Sequence, residues 1–260
     1  MDVARPPVIS VRNLCYDVAE SSGARARRIL DDVTFDVHEG EIFGVMGLSG
    51  SGKSTLLRNI MALTQPVSGD ILVRGRSIIG LSEAELNEIR RSMGMCFQYA
   101  ALFDSLTVAD NVAFGLNWHT RLSKQEIARE VEENLKFVGL EGTGERMPSE
   151  LSGGMRKRVG IARSLATRQH VMLYDEPSAG LDHVMARVID ELILRLRREF
   201  SATSIIVTHD VHELFGLCDR VLMLHDSRVV ICDTPERLRE SVNPVVHQFI
   251  TGSAEGPILV

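Results

Sequence analysis

A run of glycine, serine and lysine that joins an apolar strand to a helix restricts the fold of this chain more than any other feature. Residues 47–55 read Gly-Leu-Ser-Gly-Ser-Gly-Lys-Ser-Thr and fit the pattern G-x-x-x-x-G-K-[ST]. The run follows the apolar segment Ile42–Met46 and opens a predicted helix that extends from Lys53 to about Ala62. A flexible turn with a solvated lysine would not need this order, so the sequence predicts an α/β core built around a phosphate-binding loop.

The residue types of this loop suit a triphosphate. Glycines permit backbone angles that point successive amides inward, and these amides form an anion-binding concavity at a helix N-terminus. Lys53 can reach the β- and γ-phosphates, and the Ser54 hydroxyl can ligate Mg²⁺. The loop residues predicted to bind the nucleotide are Gly47, Leu48, Ser49, Gly50, Ser51, Gly52, Lys53, Ser54 and Thr55.

An apolar strand that ends in two acids supplies the second half of the predicted site. Residues 171–174 are apolar, and Asp175 and Glu176 follow them. Asp175, at the strand end, is placed to hold Mg²⁺ through its water shell, and Glu176 can act as the general base for an attacking water. Two adjacent acids alone are typical of a solvated loop, but after a phosphate loop and a buried strand they predict hydrolysis.

The order of the remaining predicted elements gives the domain organisation. Strand–helix alternation at both ends of the chain encloses a mostly helical region at about 97–155, which predicts a helical subdomain inserted into the core. Residues 8–16 and 34–37 alternate apolar with polar side chains, and this pattern predicts edge or antiparallel strands. We expect one domain over residues 1–240 and a separate tail over 241–260.

Smaller sequence signals complete this prediction. Ser82 with Glu85, and Ser123 with Glu126, fit the capping box that begins a helix. Residues 21–28 are predicted to form a flexible basic loop, and His225-Asp226-Ser227-Arg228 is predicted to be the turn of a hairpin.

Composition limits the compartment and the partners. Hydrophobic residues make up 44% of the chain, charged residues 25%, and the net charge of −6 argues against non-specific nucleic-acid binding. The four cysteines have no metal-ligand spacing and are typical of small buried residues in a reducing compartment. No apolar stretch approaches the roughly 18 residues that cross a bilayer, and the N-terminus lacks a secretory h-region. We expect a cytosolic protein whose membrane role comes from a partner.

A five-residue run before the acidic pair makes a family visible. Leu151-Ser152-Gly153-Gly154-Met155 resembles the LSGGQ signature of ABC ATPases, with Met155 in place of the usual glutamine. A serine hydroxyl and glycine amides at a helix N-terminus can bind an anion, although the run alone could equally be an ordinary helix cap. Its position before Asp175 and Glu176 is the one that the family has.

Other positions of the chain match the same family. Gln98 resembles the Q-loop glutamine that senses the metal and the water, and His209 resembles the switch histidine that contacts the γ-phosphate. Asp182 ends a segment that resembles the D-loop, and Tyr16 lies where the family has an aromatic that stacks on adenine. The alternatives are a loop amide for Gln98, a strand-end histidine for His209 and a core-edge aromatic for Tyr16.

The resemblance covers essentially the whole chain and implies both a fold and an assembly. The implied fold is a P-loop NTPase (RecA-like) core with an antiparallel β subdomain and an inserted α-helical subdomain. The implied assembly is a homodimer in which ATP on the phosphate loop of one chain meets Ser152, Gly153 and Gly154 of the other. With Lys53, Gln98, Glu176 and His209 all present, the resemblance implies an active ATPase.

Rival classes that use a phosphate loop fit less well. A small-molecule kinase has no use for the signature run or for His209. A DNA-repair ABC protein needs a long coiled coil between its half-motifs, and the insertion here is only the size of a helical subdomain. A translation-factor type carries two ATPase units in one chain, and this sequence has one. A transporter subunit remains, and the segment after Gln98 is expected to touch an integral-membrane permease.

Three segments and the tail are similar to the Mla/Mce-type ATPases that drive phospholipid transport at the bacterial envelope. The segments are 99–108, 151–164 and 174–182, and the Gly-Ala-Leu-Phe of that group appears here as Ala-Ala-Leu-Phe at 100–103. Residues 246–257 resemble the group's ending. The match implies a peripheral protein at the cytoplasmic face of the bacterial inner membrane.

The same match implies particular partners, and it leaves one alternative open. The implied partners are a periplasmic MCE-domain protein and a small cytosolic STAS-domain protein. The tail is expected to dock on the neighbouring ATPase subunit rather than fray. The alternative is the ATPase subunit of a polar amino-acid or other small-solute importer.

Overall fold

The computed structural model describes residues 7–19 and 26–258, which form two compact units. The first unit contains the described residues up to Leu86 and from Ile205 onward, and the second contains Asn87–Ser204. The elements follow the chain as β1 (Pro7–Val18), β2 (Arg27–His38), β3 (Ile42–Met46), α1 (Lys53–Ile60), β4 (Ser68–Val73), β5 (Arg76–Ser77), α2 (Glu83–Arg90), β6 (Met93–Cys96), α3 (Val108–His119), α4 (Lys124–Phe137), α5 (Gly153–Leu165), β7 (Val171–Asp175), α6 (His183–Phe200), β8 (Thr203–Val207), α7 (Val211–Leu217), β9 (Arg220–His225), β10 (Arg228–Asp233), α8 (Pro235–Arg239) and α9 (Pro244–Thr251).

The first unit contains an antiparallel sheet in the order β2-β1-β4-β5. Both alternating patterns lie in it, and the strand that contains 34–37 begins already at Arg27. Arg27 and Arg28 are therefore strand residues, and the predicted basic loop is wrong at its C-terminal end; residues 20–25 lie outside the described part of the chain. The physical reason is charge pairing: Arg28 bonds to Asp17 across the strand pair on β1 and to Asp31 along β2 at 2.9 Å.

A second set of strands in the first unit runs in the order β10-β9-β3-β8. All five residues of β3 are buried, as an apolar run in a parallel sheet predicts, and β3 pairs in parallel with β9. The predicted hairpin is confirmed: β9 and β10 pair in antiparallel fashion across a two-residue turn. Asp226 (φ 46°) and Ser227 (φ 67°) both adopt the left-handed conformation that such a turn requires.

The second unit combines a parallel strand pair, β6 and β7, with helices α3 to α6. Helices α3 and α4 pack against α5. The capping box at α4 is confirmed, because Ser123 Oγ accepts a hydrogen bond from Glu126 N and the Glu126 carboxylate accepts one from Ser123 N. The bounds of the inserted helical subdomain, about 97–155, remain a prediction.

The tail folds back onto its own helix, α9. Gln248 is 4% exposed; its Nε2 donates to the carbonyl oxygen of Ile258 at 3.2 Å and its Oε1 accepts from Ile258 N at 2.7 Å. A Cβ on Gly256 would lie 2.3 Å from Gln248 Oε1, so the turn needs glycine there. These bonds order the tail within one chain, and its docking on a neighbouring subunit remains a prediction.

The prediction that the cysteines are buried is correct for two of the four. Burial raises the pKa of the Cys96 thiol to about 11, and Cys218 is buried too. The prediction is wrong for Cys15 and Cys232, which are half-buried because they lie on β1 and β10 at the sheet surface.

None of the helices within residues 7–19 and 26–258 combines the length and the apolar composition of a membrane span.

Asn111 of α3 fastens the segment that precedes this helix. The side chain is fully buried; Nδ2 donates to the carbonyl oxygens of Phe103, Leu106 and Thr107, and Oδ1 accepts from Phe103 N at 2.8 Å. Phe103 itself is 42% exposed, while Val108 is fully buried. Asn111 therefore holds the middle of the segment 99–108 by polar contacts, while Ala100 and Val108 are its buried apolar residues.

Replacing Asn111 by alanine is expected to lower the free energy of unfolding by about 2–3 kcal/mol, because loop carbonyls and an amide lose their partner. Chemical denaturation measures the loss. Asn117→Ala, an exposed position on the same helix, is the matched control and should change stability by less than about 0.5 kcal/mol. Equal stability of the two variants would contradict this role of Asn111.

Candidate functional site

The phosphate loop leaves β3 and enters α1 through a backbone that only glycine suits. Gly47, Gly50 and Gly52 have φ of 150°, 80° and 100°. A Cβ on Gly47 would lie 2.3 Å from the carbonyl oxygen of Leu224, and a Cβ on Gly52 would lie 2.9 Å from that of Ile29. The backbone conformation and the lack of space for a Cβ therefore both require glycine at positions 47 and 52.

Lys53 folds back over this loop. Its side chain is 7% exposed, and Nζ donates to the carbonyl oxygens of Gly47 at 2.8 Å and Leu48 at 3.0 Å. Gly52 at the N-cap of α1 provides no side-chain acceptor for the helix amides. Ser51 Oγ is buried and has no hydrogen-bond partner in the part of the chain that the structure describes. A buried cation beside an N-terminus without a side-chain cap fits a polyanionic ligand such as a triphosphate.

His209 and the phosphate loop emerge from neighbouring strands of the first unit. Thr208 N donates to the carbonyl oxygen of Val45 at 3.3 Å, so the chain reaches His209 beside the point where β3 enters the loop. His209 is exposed, and Asp210 behind it caps α7 by accepting from the amides of His212 and Glu213. The histidine thus stands in an exposed turn that a helix cap fixes.

Tyr16 lies one strand away from the loop. It is half-buried on β1 and pairs with Leu30 of β2, and Leu30 in turn lies against Gly52. A cavity of about 360 Å³ borders the same loop in the first unit. Its walls are formed by Arg27, Arg28, Ile29, Leu48, Ser49, Gly50, Ser51, His225, Asp226, Ser227 and Pro257.

The acidic pair of the second unit ends β7, as the sequence predicts. Asp175 is 7% exposed, whereas Glu176 is half-buried and has a φ of 51°, which is uncommon for a residue with a side chain. Lys157 of α5 donates to the carbonyl oxygens of Glu176, Pro177 and Ala179. Lys157 was not predicted as a site residue, because contacts to backbone carbonyls leave no pattern in a sequence.

The signature run begins α5. Ser152 is the N-cap, and its Oγ accepts a hydrogen bond from Met155 N at 3.3 Å, so the helix-cap alternative describes its local role. Ser152 and Gly153 are nevertheless exposed and lie at a helix N-terminus, where an anion is stabilised. Gly154 is buried, and a Cβ there would lie 2.7 Å from Met185 Cε.

The remaining two predicted positions, Gln98 and Asp182, also lie in the second unit. Gln98 is half-buried and follows β6. Arg163 holds the turn just after it, donating to the carbonyl oxygens of Ala100 and Ala101 at 2.8 and 2.7 Å. Asp182 caps α6 by accepting from Met185 N at 2.9 Å, and its contact with nucleotide stays a prediction.

The donor set fits Mg²⁺ only together with a phosphate ligand. Within residues 7–19 and 26–258, no cluster of three or more His, Cys, Asp or Glu could hold a metal alone. The predicted metal residues Ser54, Gln98 and Asp175 offer a hydroxyl, an amide and a buried carboxylate, all hard oxygen donors. Mg²⁺ is commonly bound by one or two such groups with substrate phosphates and waters, so the residues present suit the ion.

Comparison with known proteins places these features in context. A family profile described as "ABC transporter" matches residues 30–179. The intermembrane phospholipid transport system ATP-binding protein MlaF of Haemophilus influenzae is 40% identical over 96% of this chain and 93% of that protein. The probable ribonucleotide transport ATP-binding protein mkl of Mycobacterium leprae is 42% identical over 89% of this chain and 67% of that protein.

A solved structure is similar over nearly its whole length. It is the ATP-binding cassette MJ0796, a dimer in a post-hydrolysis state bound to ADP and Pi. Its TM-score is 0.81 at 32% identity, and the match covers 87% of this chain and 98% of the cassette.

Gly47→Ala is expected to weaken ATP binding by about ten-fold or more, because the new methyl group forces the loop away from Leu224. Titration with a fluorescent ATP analogue measures the affinity. Gly50→Ala is the matched control: its φ is also positive, but a Cβ there meets no atom within 4 Å, so its loss should be smaller. Wild-type affinity in Gly47→Ala would contradict the tight loop geometry.

Proposed function

The chain belongs to the ABC transporter family as an ATP-hydrolysing subunit, and from this premise we propose that it drives the movement of phospholipids across the bacterial envelope. Its fold is the predicted P-loop NTPase core, since the MJ0796 cassette shares it. The observation that carries the phospholipid proposal is the 40% identity to MlaF along 96% of the chain.

Local sequence supports the same substrate class. The segment 99–108 and the ending at 246–257 resemble the Mla/Mce-type ATPases, and Asn111 and Gln248 hold these two regions in place. Neither relative described above is named for amino-acid transport, so the importer of polar amino acids has weaker support as the alternative. The mycobacterial relative, however, bears a name that specifies ribonucleotide transport, so an experiment must separate a lipid from a polar solute.

The chemistry that we propose is the hydrolysis of ATP. Lys53 and the amides of the phosphate loop bind the triphosphate of ATP, and Tyr16 stacks on its adenine. Ser54, Asp175 and Gln98 would hold Mg²⁺, which would supply neutralisation of the phosphate charge. Glu176 accepts a proton from the attacking water while the oxygen of that water bonds to the γ-phosphorus.

The bond from the γ-phosphorus to the bridging oxygen then breaks, which releases ADP and phosphate. His209 and Gln98 orient the γ-phosphate and the water. Each of these groups acts by holding an atom or by moving one proton, and this accords with a reaction that depends mainly on positioning and charge.

The active form that we propose is a pair of these chains on a membrane partner. ATP on the phosphate loop of one copy would meet the exposed N-terminus of α5, with Ser152, Gly153 and Gly154, of the other copy. Asp182 would lie near the same junction. The MJ0796 cassette, solved as a dimer, supports this arrangement. Permease subunits, a periplasmic MCE-domain protein and a cytosolic STAS-domain protein would complete the complex at the inner membrane.

Glu176→Gln is expected to bind ATP without hydrolysing it and therefore to accumulate as an ATP-bound dimer on a sizing column. The side chain keeps its size but can no longer accept a proton. Glu191→Gln, which changes an exposed carboxylate on α6, is the control and should turn over ATP without trapping a dimer. A Glu176→Gln chain that stays monomeric with ATP and Mg²⁺, alone and with its membrane partner, contradicts the paired site.

Phospholipid should co-purify with the complex of this chain and its membrane partners, and mass spectrometry of an extract identifies it. The MCE-type periplasmic subunit is the component expected to carry the lipid. Recovery of a complex with a monomeric solute-binding protein and no lipid would overturn the phospholipid proposal, while the ATPase assignment would stand.

A further inference from the structure

Lys157 makes an unusual set of hydrogen bonds for a lysine on a helix surface. Its Nζ donates to the carbonyl oxygens of Glu176 at 3.1 Å, Pro177 at 2.8 Å and Ala179 at 2.7 Å. An ammonium group has three hydrogens, so the three carbonyls match its donors. The side chain is half-buried, which strengthens each of these charge-assisted bonds relative to a solvent-exposed one.

The held backbone carries the residue that acts as the base. Glu176 has a φ of 51°, a conformation that costs free energy for any residue with a Cβ and persists only where the surroundings impose it. Ala179 N also donates to the Glu176 carbonyl oxygen, at 3.3 Å. Lys157 Nζ and Ala179 N therefore both hold the carbonyl of Glu176, which restrains the peptide that follows its Cα and, with it, the range of directions open to the Cα–Cβ bond.

We propose that Lys157 is a positioning residue for ATP hydrolysis: it holds the left-handed backbone at Glu176 and so aims the carboxylate at the attacking water. This inference rests on the proposed role of Glu176 as general base. Lys157 does not touch the nucleotide in this scheme, and its effect reaches the reaction only through Glu176.

A purely structural role is the competing explanation, and the same helix supplies a control for it. Arg158 donates to the carbonyl oxygens of Val138 at 3.0 Å and Gly139 at 3.1 Å. That turn carries no candidate site residue. Arg158→Met therefore removes a comparable cation–carbonyl contact from α5 without altering the loop at Glu176.

The test is a double-mutant cycle in the full chain. Phosphate release is measured against ATP concentration for the wild type, Lys157→Met, Lys157→Arg, Arg158→Met, Glu176→Gln and the double variant Lys157→Met/Glu176→Gln. Thermal melting of each variant reports its stability. Because residual turnover is slow without the base, single-turnover measurements with excess protein are used for the Glu176→Gln pair.

The positioning role predicts a kinetic pattern that a structural role does not. Lys157→Met should lower kcat by about ten-fold or more with KM within about two-fold, and Lys157→Arg should restore part of kcat. In the Glu176→Gln background, Lys157→Met should cost nothing further, because its effect passes through the missing carboxylate. Arg158→Met should lower the melting temperature and keep kcat within about two-fold of wild type.

Several results would overturn the inference. An unchanged kcat in Lys157→Met would do so. An equal fold-loss of activity from Lys157→Met in the wild-type and the Glu176→Gln backgrounds would do so as well. If Lys157→Met fails to fold, Lys157→Arg takes its place in the cycle: its smaller loss of kcat should disappear in the Glu176→Gln background, and an equal fold-loss in both backgrounds would overturn the inference. Wild-type turnover in Glu176→Gln would overturn the general-base role of Glu176 itself. This failure can be told apart from a failure of the Lys157 inference, because it is seen with Glu176→Gln alone.

Discussion

Cationic side chains bonded to backbone carbonyls hold the loops on which the candidate site depends. Lys53 binds the carbonyls of Gly47 and Leu48 within the first unit, and in the second unit Lys157 binds the loop after β7 while Arg163 binds that after Gln98. Loop carbonyls have no ladder partner, so a buried cation satisfies them.

Cations of α5 hold three positions of the second unit at which the backbone is strained. Glu176 (φ 51°), Ala100 (φ 61°) and Ala101 (φ 47°) are non-glycine residues in the left-handed region, and each has its carbonyl held by a cation of α5. Burial lowers the pKa of Arg163, yet the guanidinium remains charged because its ordinary pKa is so high. The Arg163 bonds offset part of the strain that this conformation places on Ala100 and Ala101.

Features that depend on local residue patterns were predicted from the sequence, whereas side chains that bind backbone carbonyls were not. The phosphate loop, the buried strands β3 and β7, the hairpin and the box at Ser123 all follow from residue type and spacing. Lys157 and Arg163 were not predicted as functional residues, because their partners are backbone atoms with no residue preference. Asn111 and Gln248 were missed for the same reason, and the start of β2 was misjudged because ion pairs stabilise Arg28 in a strand.

ATP hydrolysis in this account is coupled to phospholipid movement, and lipid transfer by the assembled complex tests that coupling most directly. The complex of this chain with its membrane partners would be placed in vesicles, and a labelled phospholipid would be followed into acceptor vesicles. The account predicts transfer that requires ATP and stops with a non-hydrolysable analogue. Full ATP hydrolysis without any lipid transfer, combined with ATP-dependent uptake of a polar solute, would contradict it.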